Sequence, residues 1–247
     1  MITRKTEKEL AHMREGGKIL ASLMAELSLR TVAGVETQEL ETLARGLIKK
    51  SFARSAFMGY EGFPAALCVS INEEVVHGTP SRRRVMEGDL VSLDMGIVWK
   101  GMNLDMARTV PVGTVSRKAQ ELCEAVNEAL EAGIAELYEG NTLGDVGNTI
   151  ESVARRHGFF AIEELCGHGI GEKLHEEPQV PNMGVRGRGA RLEAGMVLCV
   201  EPMFSLKDAH VVKAEKGFAF ITQSGSLAAH AEDTVAVGAK GPEIFTR

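Results

Sequence analysis

The stretch GDLVSLDMGIVWKGMNLD, residues 88–105, decides the fold class of this chain. It predicts two apolar strands joined by a tight turn at residues 99–101. Each strand carries one carboxylate among apolar neighbours, and the hairpin brings Asp105 opposite Asp94 or one diagonal away on the same face. Two carboxylates side by side repel each other unless a proton or a metal ion lies between them.

A weak internal repeat extends this pattern to the second half of the chain. Residues 88–94, GDLVSLD, align with residues 195–201, GMVLCVE. Each segment predicts an apolar strand that follows a glycine and ends in a carboxylate, which in the second copy is Glu201. The repeat therefore indicates two related halves, each with an acid at the end of a buried strand.

Amphipathic helices come in two pairs, and strands follow each pair. The helices are predicted behind the capping box of Thr6 and Glu9, over about 37–51, along the apolar repeat from Leu122 to Leu137, and behind Thr142. The strands are predicted at 66–71, 90–98, 102–110, 196–204, 211–214, 218–222 and 227–237. This order predicts an α+β fold in a single domain, residues 1–247, whose halves of about 1–115 and 116–247 share one sheet.

Composition limits the classes of function. The chain has 247 residues, 44% apolar and 25% charged, which is typical of a globular protein and excludes disordered and collagen-like classes. Its formal net charge of -6 gives no general attraction to nucleic acid or anionic membranes, and no apolar run is long enough to predict a membrane span. The four cysteines are scattered, which predicts free thiols. We therefore expect a cytoplasmic protein with no direct nucleic-acid or membrane function.

Four carboxylates interrupt apolar strands, and two histidines flank a glycine-rich turn. The acids are Asp94, Asp105, Glu201 and Glu232, and the histidines are His168 and His175. A mixture of carboxylate and imidazole donors suits divalent manganese, iron, cobalt or zinc. Two divalent ions balance four carboxylates better than one, and paired metals activate water and polarise a carbonyl oxygen for hydrolysis. The pattern predicts a hydrolase with two metal ions.

The segment YEGFPAALCVSINEEVVHGTP, residues 60–80, and the segments around these acids and histidines resemble the type I methionine aminopeptidases. The resemblance implies a pita-bread fold, in which two pseudo-symmetric α+β halves surround a curved antiparallel sheet with flanking helices. It also implies two divalent ions, the first held by Asp94 and Asp105 and the second by Asp105, His168, Glu201 and Glu232. The implied activity is removal of the N-terminal methionine from nascent proteins and peptides, with a small second residue preferred.

The same resemblance implies roles for residues outside the metal ligands. His175 would polarise the scissile carbonyl, His77 would hydrogen-bond the leaving amide, and Glu201 would carry a proton from the attacking water to the departing amine. The methionine pocket would be lined by Tyr60, Phe63, Cys68 and Phe218. The implied partner is the N-terminus of a peptide or nascent chain, with a transient ribosome contact, and the implied oligomeric state is a monomer.

The chain departs from the family pattern next to Glu232. His230 and Ala231 stand where glutamine and an aromatic residue are usual, and Asp233 replaces a histidine. Asp233 would either raise metal affinity through its charge or face the solvent. Two alternatives stay open: a related pita-bread aminopeptidase or dipeptidase of altered specificity, and a non-catalytic module that binds N-termini.

Overall fold

The computed structural model describes residues 2–239 and 241–247, and in this part of the chain it contains four α-helices and fifteen β-strands. The helices are α1 (Glu7–Arg30), α2 (Thr37–Lys50), α3 (Arg117–Ala135) and α4 (Leu143–His157). The strands are β1 (Arg54–Ser55), β2 (Cys68–Ile71), β3 (Glu74–Val76), β4 (Leu90–Trp99), β5 (Met102–Pro111), β6 (Phe160–Ala161), β7 (Cys166–Gly169), β8 (Glu176–Pro181), β9 (Val197–Val200), β10 (Met203–Ser205), β11 (Val211–Lys213), β12 (Phe220–Thr222), β13 (Ala228–His230), β14 (Glu232–Ala236) and β15 (Glu243–Ile244).

The four predicted helices are confirmed, and local signals explain where they begin. The Thr6 side chain accepts a hydrogen bond from the backbone N–H of Glu9, whose carboxylate accepts one from the N–H of Thr6. This capping box satisfies donors that the first helical turn would otherwise leave unpaired. At the start of α4 the N–H of Thr142 donates to the carboxylate of Asp145 at 2.9 Å.

One antiparallel sheet of nine strands runs through the molecule. Its central order is β1-β4-β5-β14-β9-β7-β8, with β2 paired to β4 and β15 paired to β14. Two sheets of three strands, β13-β10-β6 and β11-β12-β3, accompany it. Because β5 pairs with β14, strands from the first and the second half of the sequence join in the middle of the large sheet.

The hairpin of β4 and β5 confirms the predicted relation between the two aspartates. Asp94 pairs with Ala107, whereas Asp105 pairs with Gly96, so the two carboxylates occupy diagonal positions on one face. The turn residues Lys100 and Gly101 have φ angles of 49° and 88°, the left-handed conformation that a two-residue hairpin turn requires.

Two predicted strands are wrong in one respect. Residues 196–204 and 227–237 were expected to be continuous, yet each is divided into two strands that belong to different sheets. The first break falls at Pro202, which has no backbone N–H to donate to a sheet. The second falls at Ala231, whose N–H donates to the carbonyl oxygen of Pro202 at 3.2 Å. The two breaks therefore face each other, at the edge of the site described below.

The buried apolar side chains form two main clusters, each with one pair of helices. The first contains residues of α1 and α2 with Leu93, Met95 and Leu104 of the β4–β5 hairpin. The second contains residues of α3 and α4 with Leu198 of β9 and Val235 of β14. Each helix pair thus buries its apolar face mainly against strands of its own half of the chain. The clusters also cross between the halves, because the first includes Val197 and Cys199 and the second includes Leu90. Within the described residues, none of the helices combines the length and the apolarity needed to cross a lipid bilayer.

Candidate active site

The candidate ligands occupy neighbouring positions across the central strands of the large sheet. Asp94 on β4 pairs with Ala107 on β5, which pairs with Glu232 on β14, so both acids lie in one row. Asp105 lies two residues before Ala107 on β5, in the row of paired residues that ends at His168 of β7. Positions two residues apart on a strand are about 7 Å apart and point to the same face. The fold therefore brings together acids that are far apart in the sequence.

These acids are buried, and their ligand atoms are close together. The exposed fraction is 8% for Asp94, 3% for Asp105 and 2% for Glu232. One ligand atom from each of these three residues lies within 4.8 Å of the others, and so do atoms of His168, Cys199 and Glu232. Oδ1 of Asp94 and Oε1 of Glu232 are buried without a hydrogen-bond partner among the described groups. Such oxygens need a cation or a proton.

The electrostatics of the cluster agree with this geometry. Burial raises the pKa of Asp94 to about 7, and it raises the pKa of Asp105 well above its usual value, with further contributions from Glu232 and Asp94. Burial and the neighbouring acids likewise raise the pKa values of Glu201 and Glu232. Four carboxylates that resist ionisation in one place form an acceptor set that fits divalent cations, because a bound cation stabilises their charged forms.

His168 has the tautomer that a metal ligand needs. Its Nδ1 lies 2.9 Å from the carbonyl oxygen of Gly169, which can only accept, so Nδ1 carries the hydrogen and Nε2 keeps a lone pair. That Nε2 lies 3.6 Å from Oε1 of Glu201. Burial lowers the pKa of His168 to about 3, so the ring is neutral at pH 7.

Glu201 stands directly after β9 and lies between two imidazoles. Its Oε1 faces His168, and its Oε2 lies 3.7 Å from Nε2 of His230. His230 is only 1% exposed and lines the same cavity. Burial lowers the pKa of His230 to about 3, which makes this second imidazole neutral as well.

The other two predicted histidines are exposed to the cavity, unlike the buried acids. His175 precedes β8, and the hydroxyl of Tyr60 lies 2.9 Å from its Nδ1. His77 follows β3 with a φ of 60°, a left-handed conformation that is uncommon for a residue with a side chain. Burial lowers the pKa values of both rings, so both are neutral at pH 7. The strained backbone at His77 is of the kind that concentrates at functional sites.

All the predicted site residues line one cavity of about 770 Å³. The metal candidates Asp94, Asp105, His168, Glu201 and Glu232 share it with His77, His175, Tyr60, Phe63, Cys68 and Phe218. Two of these side chains form an apolar wall, because the rings of Phe63 and Phe218 meet edge to face with centroids 5.4 Å apart. The predicted residues therefore form a polar floor with an apolar wall beside it.

The expectation that Asp233 faces the solvent was wrong, and its effect on metal affinity stays a prediction. The residue is completely buried, and it is absent from the cavity lining. Its carboxylate accepts hydrogen bonds from Arg108 at 2.7 Å, from the hydroxyl of Thr246 at 2.7 Å and from Arg247 at 2.7 Å. Two guanidinium groups pair with this carboxylate, so Asp233 does not face the solvent, and its charge contributes to the raised pKa of Glu232. Arg108 also donates to the backbone oxygen of Glu232 at 2.6 Å, which holds the ligand strand in place.

Sequence reasoning missed three residues that support the site. Thr234 joins β14 to β5, because its hydroxyl donates to the carbonyl oxygen of Asp105 and accepts from the N–H of the same residue. The thiol of Cys199 lies beside Glu232 and His168. Glu41, 1% exposed, accepts hydrogen bonds from the N–H groups of residues 66 and 67, just before Cys68. The repeat segment around Cys199 was a usable signal, whereas Glu41 resembles an ordinary surface acid four residues before Arg45.

Comparisons with known proteins agree with this site. The sequence pattern of metallopeptidase family M24 matches residues 11–239. A methionine aminopeptidase from Clostridium perfringens is 42% identical over 246 residues, covering 100% of this chain and 99% of that protein. The crystal structure of a methionine aminopeptidase from Thermotoga maritima superimposes with a TM-score of 0.98 at 41% identity, covering 100% of both chains.

A more distant match shows the fold alone. The Xaa-Pro dipeptidase from Bacillus anthracis superimposes with a TM-score of 0.80 at 24% identity. The match covers 99% of this chain and 62% of the dipeptidase. Together with the closer structural match, it confirms the α+β pita-bread fold expected from the sequence.

Proposed function

The chain belongs to metallopeptidase family M24, and from that premise we propose that it removes the N-terminal methionine from peptides and nascent proteins, with a small second residue preferred. The observation that carries the proposal is the cavity itself. Buried acids and His168 form its floor, exposed imidazoles stand above them, and an apolar wall lies beside them. A hydrolase that acts on peptide N-termini needs these three parts.

The metal-binding part of the proposal assigns two divalent ions. Asp94 and Asp105 would hold the first, and Asp105, His168, Glu201 and Glu232 would hold the second, with Asp105 and Glu232 shared between the two ions. The charge of four carboxylates and the oxygen and nitrogen donors favour cobalt, manganese, iron or zinc. When bound, such ions supply positive charge that acidifies water and polarises a carbonyl oxygen.

The chain's own residues then position the peptide. The hydroxyl of Tyr60 lies 2.9 Å from Nδ1 of His175. In the tautomer with hydrogen on Nε2, the hydroxyl donates to Nδ1 and Nε2–H is a donor for the oxygen of the scissile carbonyl. His77, which lines the same cavity, would hydrogen-bond the leaving amide. Glu201 accepts a proton from the attacking water on one carboxylate oxygen and delivers it to the departing amine, so the C–N bond breaks without releasing an amide anion. General acid–base catalysis of this kind contributes about 10² to 10⁴ in rate.

The apolar wall supports the preference for methionine. Phe63 and Phe218 present ring edges and faces, and Cys68 and Tyr60 complete the pocket. A thioether against aromatic rings gains roughly 0.3–1.5 kcal/mol per contact, whereas a charged side chain would lose its hydration there.

The proposal also covers the cellular location, a ribosome contact, the oligomeric state and the domain organisation. An enzyme that acts on nascent N-termini works in the cytoplasm, and a transient ribosome contact would bring it to its substrate. We assign a monomer of one catalytic domain, residues 1–247, with halves of about 1–115 and 116–247. The continuous pairing of β5 with β14 supports one domain, and the two helix-pair clusters support the division into halves.

Peptide cleavage tests the proposal directly. Metal-free protein reloaded with cobalt or manganese should release methionine from Met-Ala-Ser but leave matched peptides that begin with leucine, alanine or arginine intact. Replacing the second alanine by a bulky residue should slow release. Release of another first residue would favour the aminopeptidase or dipeptidase of altered specificity. Binding of the peptide without cleavage in any metal would favour the non-catalytic module.

A further inference from the structure

His230 is a buried histidine to which the mechanism above gives no role. The ring is 1% exposed, and neither Nδ1 nor Nε2 has a hydrogen-bond partner among the described residues. Its backbone is held firmly, because the N–H donates to Oγ1 of Thr109 at 2.8 Å and the carbonyl oxygen accepts from the same hydroxyl at 2.8 Å. Buried polar groups in proteins are almost always paired, so an unpaired ring that lines a catalytic cavity calls for a functional explanation.

The ring faces one particular oxygen of Glu201. Oε1 of Glu201 lies 3.6 Å from Nε2 of His168, the nitrogen with the free lone pair. Oε2 lies 3.7 Å from Nε2 of His230. The two oxygens of the carboxylate are therefore in different environments, one beside a metal ligand and the other beside His230.

We propose that His230 is a positioning residue that donates a hydrogen bond from Nε2–H to Oε2 of Glu201, so that Oε1 stays with His168 and Oε2 stays free to carry the proton. With metal bound, Glu201 is an ionised carboxylate that can only accept, so the nitrogen that faces it carries the hydrogen. The present separation of 3.7 Å closes to a hydrogen bond with a movement of about 0.5–0.8 Å, and catalytic hydrogen bonds commonly shorten when substrate binds. The kinetic part of this inference rests on the proposed function.

Two amide substitutions distinguish this role from simple packing. The terminal amide nitrogen of glutamine reaches about as far as Nε2 of histidine, whereas that of asparagine reaches only as far as Nδ1. His230→Gln therefore keeps a donor beside Oε2, and His230→Asn does not. Both variants bury a neutral amide at the same position, so a loss shared by both would come from packing or burial.

Peptidase kinetics give the first measurement. With Met-Ala-Ser as substrate, we expect His230→Gln to retain kcat within about threefold and His230→Asn to lose about tenfold or more, with KM nearly unchanged in both. Melting temperatures of the two variants should agree within a few degrees. Equal kcat values for the two variants, or a loss that appears only in KM, would overturn the positioning role.

The visible absorption of cobalt(II) gives a second measurement that needs no turnover. Cobalt(II) alone is titrated into each metal-free variant, and its absorption bands report how the carboxylates surround the ion. The His230→Gln spectrum should match that of the unsubstituted protein. The His230→Asn spectrum should shift, because Oε2 of Glu201 is no longer held away from the ion. If the unsubstituted protein releases no methionine while this spectral difference persists, the proposed function fails and the role of His230 stands. If release occurs and the spectra of the two variants coincide, the role of His230 fails alone.

Discussion

Raising the pH from 7 to 8 should destabilise the metal-free protein. The pKa values of Asp105, Glu201 and Glu232 are raised well above their usual values in the folded protein, mainly by burial. A group with a raised folded pKa contributes stability that is complete below its unfolded pKa, near 4, and is lost as the pH rises towards the folded value. The raised pKa values therefore predict that stability falls as the pH rises, because the folded chain keeps these protons to a higher pH than the unfolded chain does.

Asp94 also titrates in this window, because burial raises its pKa to about 7, and the buried histidines do not oppose the loss. The pKa values of His168 and His230 are lowered by burial, so these rings favour the folded state increasingly as the pH rises to about 6.5 and change little above that. Below pH 6.5 the histidines and the acids oppose each other. The raised pKa of the Cys199 thiol has its effect only near and above pH 8.5, where unfolded thiols ionise.

The magnitude follows from the number of protons retained. Each retained proton lowers the free energy of unfolding by about 1.4 kcal/mol per pH unit. Each acid of the cluster that keeps its proton adds at most this amount to the loss between pH 7 and pH 8. Bound divalent metal removes the effect, because the ligands must give up their protons to bind it.

Urea unfolding at pH 7.0, 7.5 and 8.0 measures this loss, with a chelator in one series and manganese in the other. The metal-free series should fall steeply and the manganese series should stay nearly level. Glu232→Gln removes one titrating carboxyl, so its metal-free slope should be shallower by about 1.4 kcal/mol per pH unit. A metal-free free energy of unfolding that stays constant or rises across this range would refute the assignment of raised pKa values to the cluster.

Four substitutions test the remaining assignments. His77→Ala should lower kcat by about a hundredfold with metal content near normal by atomic absorption, because the lost contact is to the leaving amide, and unchanged turnover would remove its role. Asp105→Asn should weaken metal binding in calorimetry, because it takes charge from the proposed bridge, and retention of two ions would contradict that bridge. Glu41→Ala should cost about 2–5 kcal/mol in urea unfolding by leaving buried N–H groups unpaired, whereas Arg45→Ala, at a half-exposed partner, should cost under about 1 kcal/mol. Equal costs for the last two would show that Glu41 acts through its ion pair.

Short sequence motifs predicted the start of α1 and the β4–β5 hairpin, because these elements depend on contacts between residues close in the sequence. The capping box at Thr6 places the start of α1 because its hydrogen bonds join residues three apart, within reach of a sequence motif. The hairpin placed Asp94 and Asp105 on one face because the side chains of a strand alternate. The acids within apolar strands indicated a cation, because the alternation of side chains places each of these acids on a buried face of the sheet.

Features that depend on long-range packing were beyond the sequence. The apolar run from 227 to 237 looked continuous, and its break at Ala231 depends on a hydrogen bond to Pro202 from another part of the chain. The surroundings of Asp233 depend on Arg108 and Arg247, which come from positions far away in the sequence. From the sequence, a charged residue next to a candidate metal ligand can be interpreted as part of the metal site or as solvent-exposed. Only the fold shows that Asp233 is buried and paired with arginines.

The location of these unforeseen contacts explains how the site is held together. Asp94 and Asp105 come from the proposed first half, His168, Glu201 and Glu232 come from the second, and the halves join where β5 pairs with β14. The join is made by polar groups: the Thr234 hydroxyl bonded to the backbone of Asp105, and Arg108 bonded to Asp233 and to the oxygen of Glu232. Hydrogen bonds fix direction and register more narrowly than apolar contacts, which tolerate sliding. The halves share part of their apolar core, since Val197 and Cys199 belong to the first cluster, and the polar contacts set the distances between ligands from different halves.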